Sequence, residues 1–317
     1  MTPNADEIQF ALGCDVSCRT VTIFDSRSKK TVTVENTSAA LRHALKPFAG
    51  CRTLLAVCEA SGGYEDVLLS VLVTLAIPTH RADAAKVKAF IRSFGTKAKT
   101  DPIDARFLAN YALDRGATLS RWQPPEKTQS MVKLLVARRA DLVAMRVQET
   151  NRLAAPRNRP IATQIRSHIN ELNRRIIDIE KQIDRLIAKS QHMTQRRSIL
   201  QSIPGIGPVV SAMLIATMPE LGHIDRRKAA SLSGCAPHPR DSGTMQRHRF
   251  SSGGRRQIRP VLFTAALTAI RGKGVLAESY RRLIEAGKPK RLAINAIMRR
   301  IIVIANARLK EYEAQLT

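Results

Sequence analysis

Four carboxylates in the first half of the chain stand where oxygen chemistry needs them. Asp15 ends one apolar run, Leu12-Gly13-Cys14-Asp15, and Glu59 ends another, Val57-Cys58-Glu59, ahead of Ala60-Ser61-Gly62-Gly63. Asp101 and Asp104 follow Lys99-Thr100, three residues apart at a helix start, so both can point to one side. Together they would form an oxygen-rich cage suited to the hard cations Mg2+ or Mn2+. Two such ions, about 3.5–4 Å apart, can activate an attacking oxygen and stabilise a leaving one in phosphodiester transfer. Each acid also has a plainer use. Asp101 before Pro102 makes a good N-cap, Asp104 can serve the first turn's dipole, and Asp15 and Glu59 can simply end a strand and begin a loop. The catalytic reading therefore rests on all four meeting.

A second chemistry-bearing stretch runs Gly234-Cys235-Ala236-Pro237-His238-Pro239-Arg240-Asp241-Ser242-Gly243, followed by Arg247, Arg249, Ser251-Ser252-Gly253-Gly254, Arg255, Arg256 and Arg259. A serine in a glycine-adjacent turn can attack phosphorus if its proton is removed and nearby guanidinium groups hold the phosphate in bidentate contacts. Ser251 and Ser252 are rivals to Ser242, and a solvated loop that merely binds backbone is the bland alternative. Upstream, Ser202-Ile203-Pro204-Gly205-Ile206-Gly207-Pro208 has the form helix, tight turn, helix. Gly205 and Gly207 would let its backbone N–H groups approach a phosphate, unless the turn is only an ordinary helix–helix connection.

The elements that must position these residues can be read from periodicity. Ile8 to Val16, Thr20 to Phe24 and Thr31 to Val34 read as an antiparallel meander. A helix follows from Asn36-Thr37-Ser38, then a strand at Leu54–Cys58, apolar enough to be buried on both faces. A helix through Val67–Leu75, a strand near Ile77 to His80 and a helix around Val87 to Phe94 complete a mixed α/β sheet in the order of the ribonuclease H-like fold. That order makes strands one and four neighbours and sets Asp15 beside Glu59. Cys14 and Cys58, each preceding a carboxylate, should face the other way and pack.

Trp122-Gln123-Pro124-Pro125 marks a boundary, after which helices dominate. Residues 130–153 read as one helix. Ile165, Ile169, Leu172, Ile176, Ile179, Ile183 and Leu186 then form a heptad seam, fitting an amphipathic helix or a coiled coil within or between chains.

Composition narrows the partners. The 317 residues are 44% hydrophobic, enough for a real core, and carry 52 Lys plus Arg against 26 Asp plus Glu, a net +26. Residues 1–130 contribute +4 of that excess and residues 131–317 contribute +22. Such a charge points to a polyanion, nucleic acid before an anionic membrane. The nearly neutral first part leaves local carboxylates free to gather metal ions. Five cysteines without a C-x-x-C pair argue against a disulfide framework or zinc site and imply a reduced, cytoplasmic setting. The amino-terminal residues lack signal-peptide character, and the longest apolar run, Val67 to Ile77, is too short for a membrane span.

The string Asp15, Glu59-Ala-Ser-Gly-Gly-Tyr, Lys99-Thr-Asp-Pro-Ile-Asp-Ala-Arg, Ser202-Ile-Pro-Gly-Ile-Gly-Pro, then Ala229-Ala-Ser-Leu-Ser-Gly-Cys-Ala-Pro and Asp241-Ser-Gly, resembles the IS110-type transposases. These are also called DEDD transposases or bridge-RNA-guided serine recombinases. The resemblance implies a RuvC-like domain over residues 1–125 with Asp15, Glu59, Asp101 and Asp104 as Mg2+ ligands. It further implies a helical coiled-coil connector over 126–198 and a mainly α transposase domain with a helix-hairpin-helix over 199–317. Ser242 takes the nucleophile's place in the acid-Ser-Gly motif. The expected partners are target and donor DNA, a structured guide RNA, and further copies of the chain in a dimer or tetramer whose sites are shared between subunits. The setting implied is bacterial or archaeal cytoplasm, at the nucleoid when acting. Nucleic-acid contacts are expected from Lys99, Gly205, Gly207, Arg240, Arg247, Arg249, Arg255, Arg256 and Arg259. Two departures stand out: Cys18 with Arg19 occupies a place where family members often carry lysine, and Gly234-Cys235-Ala236-Pro237 replaces the family's G-L-x-P. A hydrolytic RuvC-like nuclease and a non-catalytic nucleic-acid-binding protein are the rival readings.

Overall fold

The computed structural model describes residues 8–95, 100–238 and 250–316. The chain divides into two compact units, Met1–Pro124 and Pro125–Thr317.

In the first unit the strands are β1 (Phe10–Val16), β2 (Thr20–Asp25), β3 (Thr31–Glu35), β4 (Leu54–Glu59) and β5 (Thr79–Ala82), with helices α1 (Ser38–Leu45), α2 (Asp66–Thr74), α3 (Ala84–Ser93) and α4 (Asp101–Arg115). They form one sheet in the order β3-β2-β1-β4-β5. β1 and β2 pair antiparallel, as do β2 and β3, whereas β4 runs parallel to both β1 and β5. The mixed sheet and the adjacency of the first and fourth strands agree with the sequence reading. β5 starts later than the expected Ile77: Pro78 has no N–H to give the ladder and contributes only its carbonyl, to Ala56 N–H.

Side-chain alternation sorts the central strands into two faces. Leu12, Cys14, Leu54, Ala56 and Cys58 pack with Leu41 and Leu45 of α1 and with Leu68, Leu69 and Leu72 of α2. Ala11, Leu55 and Val57 pack with Ala105, Leu108 and Ala109 of α4 and Val87 of α3. The odd-numbered positions of β1 and β4 thus look toward α4. Cys14 and Cys58 lie fully in the α1/α2 layer, and burial lifts the Cys58 thiol to about 12.

The second unit is helical: α5 (Lys127–Ala154), α6 (Ala162–Ala188), α7 (Gln191–Gln201), α8 (Pro208–Thr217), α9 (Arg226–Leu232), the short pair β6 (Pro237–His238) and β7 (Phe250–Ser251), then α10 (Ile258–Ile270), α11 (Val275–Glu285) and α12 (Lys290–Leu316). α5 and α6 are antiparallel, tied by Arg139 to Glu180 at 2.7 Å and Arg146 to the Asn173 amide oxygen at 3.1 Å. Leu172 and Ile176 of the heptad seam are buried against Leu142 of α5, and Ile183 joins the main core. That core closes around α12 through Ile297, Met298, Ile301, Ile302 and Leu309. No single helix among the described residues is long and apolar enough to cross a membrane.

Candidate active site

Alternation already determines where the first two acids point. Cys14 pairs with Cys58 in the parallel β1–β4 register, so the next residues, Asp15 and Glu59, end neighbouring strands and share the face opposite the cysteines. That is the α4 face, and Asp101 and Asp104 occupy the first turn of α4. The N-cap of α4 is Thr100, with Asp101 the first helical residue, so Asp101 is not spent as a cap.

Gly13 makes this approach possible. An ideal Cβ on Gly13 would lie 1.8 Å from the Ala105 carbonyl oxygen and 2.5 Å from the Ala109 nitrogen. The helix backbone fills the space where any other residue would carry a side chain.

Asp15 registers the crowding. Burial first, then the charges of Asp101, Asp104 and Glu59, raise its carboxyl from 3.8 to about 6, against the lowering effect of the Val16 N–H. Among the described residues, no three acidic, histidine or cysteine side chains converge closely enough to grip a metal ion between them. The other three acids lie near enough for their charges to act on Asp15. Their donors are all carboxylate oxygens, and their mutual repulsion is what a hard divalent cation relieves, so the residues present fit such an ion.

A fifth carboxylate organises the loop after Glu59, and sequence reasoning missed it. Glu65 is completely buried. Its Oε2 accepts the N–H of Ser61 at 3.1 Å, the Ser61 hydroxyl at 3.0 Å and the N–H of Gly63 at 2.8 Å, while Oε1 meets the Arg81 guanidinium of β5 at 2.5 Å. Burial alone would raise its carboxyl; hydrogen bonds from its own N–H, from Gly63 and from Ser61, with Arg81 beside it, bring it down to about 2. The available signal was a second acid six residues after Glu59, just beyond two glycines.

In the second unit the expected contacts divide by what else they do. Gly205 has φ +90°, and a Cβ there would lie 2.2 Å from the Ala265 carbonyl of α10, so its α-carbon is turned into the fold. Gly207, at the α8 N-cap, faces open space. A phosphate meeting this turn would have to come from the Gly207 side. Arg255 is committed to Glu220 at 2.6 Å and to the Thr217 carbonyl, and Arg259 donates to the Ser251 carbonyl at 2.7 Å. Arg256 is exposed. The Ser251 hydroxyl accepts from Asn295 at 2.9 Å, while Ser252 is exposed. Lys99, Arg240, Ser242, Arg247 and Arg249 lie outside the described residues. β6 and β7 pair Pro237 with Ser251, bringing together the two ends of the chain stretch that contains Ser242.

Comparison with known proteins covers both units. Residues 12–156 match a family model described as a transposase, of the IS110 DEDD type, and residues 197–281 match one described as transposase of the IS116/IS110/IS902 family. Two pilin gene-inverting proteins, from Moraxella lacunata and Moraxella bovis, are each 26% identical over 267 residues, covering 82% of this chain and 81% of theirs. An uncharacterized 44.8 kDa protein of insertion element IS116 from Streptomyces clavuligerus is 33% identical over 134 residues, 41% of this chain and 33% of that protein.

Proposed function

Because this chain belongs to the IS110 family of transposases, we propose that it recombines DNA through a serine-linked phosphodiester intermediate, with Asp15, Glu59, Asp101 and Asp104 holding Mg2+ or Mn2+ and Ser242 as nucleophile. The observation that carries the metal half is the shared face of Asp15 and Glu59, toward which Gly13 admits the acid-bearing turn of α4. When bound, such an ion polarises phosphate oxygens and offsets charge on the attacking and leaving groups. In this reading the first unit is the RuvC-like domain, α5, α6 and most of α7 form the connector over residues 126–198, and residues 199–317 carry the transposase domain.

The serine step balances without another reagent. Ser242 Oγ loses its proton and bonds to phosphorus, the bond from phosphorus to one strand's oxygen breaks, and that oxygen leaves as a hydroxyl. Attack by a strand hydroxyl on the phosphoserine restores the DNA backbone and frees the serine. The Moraxella relatives are named for inverting a gene, a rearrangement that requires cutting and rejoining. The +22 charge of residues 131–317 suits phosphate tracking on DNA and on a structured guide RNA, and assembly is as a homo-oligomer.

Trapping DNA on the denatured protein tests the reading. Ser242→Ala should abolish covalent adducts while DNA and RNA binding persist, and Asp15→Asn should abolish cleavage with binding retained. Adducts undiminished in Ser242→Ala would refute the nucleophile. Cleavage without adducts would identify a hydrolytic nuclease, and binding without either would identify a non-catalytic protein.

A further inference from the structure

Three aromatic rings are exposed among the described residues, and the two most exposed, Phe94 at 56% and Tyr64 at 55%, both belong to the first unit. Each is tied to an element that carries one of the carboxylates. Phe94 lies edge-on to Phe90 at 5.1 Å and 5.6 Å from Phe107, three residues beyond Asp104 along α4. Residues three apart on a helix are neighbours, so the Phe94 ring sits beside the turn carrying Asp104. Tyr64 belongs to the loop that leaves Glu59. That loop is held by Glu65 through Ser61 and Gly63, and by Asn36, whose side-chain N–H donates to the Tyr64 carbonyl at 2.9 Å. The Phe94 ring is therefore packed on one side and open on the other, while the Tyr64 ring projects into solvent from an anchored backbone.

Aromatic rings facing water forgo apolar burial, and their surroundings suggest what covers them. Arg19, just beyond Asp15, Arg92, two residues before Phe94, and Arg106 of α4 are all exposed cations on the elements that frame this edge. Aromatic faces interleaved with guanidinium groups form the surface on which single-stranded nucleic acid lies, its bases stacked and its phosphates neutralised. A duplex keeps its bases stacked on one another and has no use for such faces.

We propose that Phe94 and Tyr64 are stacking platforms for unpaired bases of a strand lying along the carboxylate edge. The proposal rests on the nucleic-acid strand-transfer reading above and adds which form of substrate the edge takes. A strand opened near the scissile phosphate would be held with its bases splayed between the two rings.

The test compares a labelled oligothymidylate with an abasic strand of the same length and charge, by fluorescence anisotropy on the full-length protein without divalent ions. The wild type should prefer the strand with bases. Phe94→Ala and Tyr64→Ala should each weaken oligothymidylate binding by roughly fivefold or more, the lower range for one stacked base, and leave abasic binding unchanged. Phe94→Tyr and Tyr64→Phe should retain wild-type affinity, and unchanged abasic binding also reports an intact fold. Equal wild-type affinity for the two strands, no loss in the alanine variants, or equal loss on both strands would overturn the proposal. Binding is read without cleavage, so that failure would leave Ser242 chemistry standing, and missing adducts would leave base stacking standing.

Discussion

Gly13 of β1 lies against the Ala105 carbonyl of α4 so closely that a Cβ on Gly13 would sit 1.8 Å from that oxygen. The relationship joins the two halves of the carboxylate set. Gly13 and Asp15 share one face of β1, and Ala105 follows Asp104 directly on α4. The distance from strand to helix therefore sets how near the helix acids come to Asp15.

Gly13→Ala should push α4 outward. The obstructing atoms are backbone and cannot rotate aside, so the cost should reach at least the ~1–3 kcal/mol typical of overpacking, and Gly13→Val should cost more. Urea unfolding of the full-length protein checks this. Moving the helix away should also let the Asp15 carboxyl fall from about 6 toward 3.8, readable by NMR titration. Unchanged stability in Gly13→Val would sink the argument.

Asp15 makes stability depend on pH with a definite sign. Its folded value, about 6, lies above its ordinary 3.8, so between those values the folded protein holds more proton than the unfolded chain. Stability contributed by this group therefore falls as pH rises from about 4 to about 6 and stays low above that. Asp15→Asn removes the charge, so its Tm above pH 6 should exceed the wild type's, and its stability should depend less on pH across that window. Adding Mg2+ should raise the wild-type Tm more than that of Asp15→Asn. A variant no more stable than wild type at neutral pH would contradict the electrostatic account.

Much of this site was legible because strand alternation is a strict code. Leu12-Gly13-Cys14-Asp15 and Val57-Cys58-Glu59 place cysteine and acid on opposite faces whatever else the chain does, and parallel register then brings the acids together. What stayed hidden depends on partners distant in sequence. Nothing in the sequence around Glu65 announces its burial, which depends on Arg81 and the turned N–H groups of Ser61 and Gly63 enclosing it. Gly205 reads as a backbone-binding glycine until Ala265, sixty residues on, closes over it. Arg255 reads as a phosphate ligand until Glu220 and Thr217 claim it.

Glu65 and Arg81 should behave as a coupled pair. Removing the guanidinium in Arg81→Met leaves a buried carboxylate with one charge partner fewer, and removing the acid in Glu65→Ala frees the N–H groups of Ser61 and Gly63. Each single change should cost about 2 kcal/mol or more, and the double variant less than the sum, because neither charge is then left alone. A double-mutant cycle in urea measures this. Strict additivity would mean the two groups do not act together. Catalysis should fall further in Glu65→Ala than in Arg81→Met, since only the former releases the loop that follows Glu59.

Gly205 and Gly207 should separate stability from binding. Gly205→Ala places a Cβ 2.2 Å from the Ala265 carbonyl at a residue with φ +90°, so overpacking and left-handed strain together should cost about 2 kcal/mol or more. Gly207 has φ −92° and nothing within 4 Å of an added Cβ, so Gly207→Ala should leave stability within about 0.5 kcal/mol of wild type. If DNA backbone meets the turn from that open side, the same methyl group stands between phosphate and the N–H groups beginning α8, and affinity for duplex DNA should drop. Thermal melts and anisotropy titrations on both variants distinguish the two effects. A Gly207→Ala protein that keeps both its Tm and its DNA affinity would remove this turn from the nucleic-acid interface and leave it as a packing device against α10.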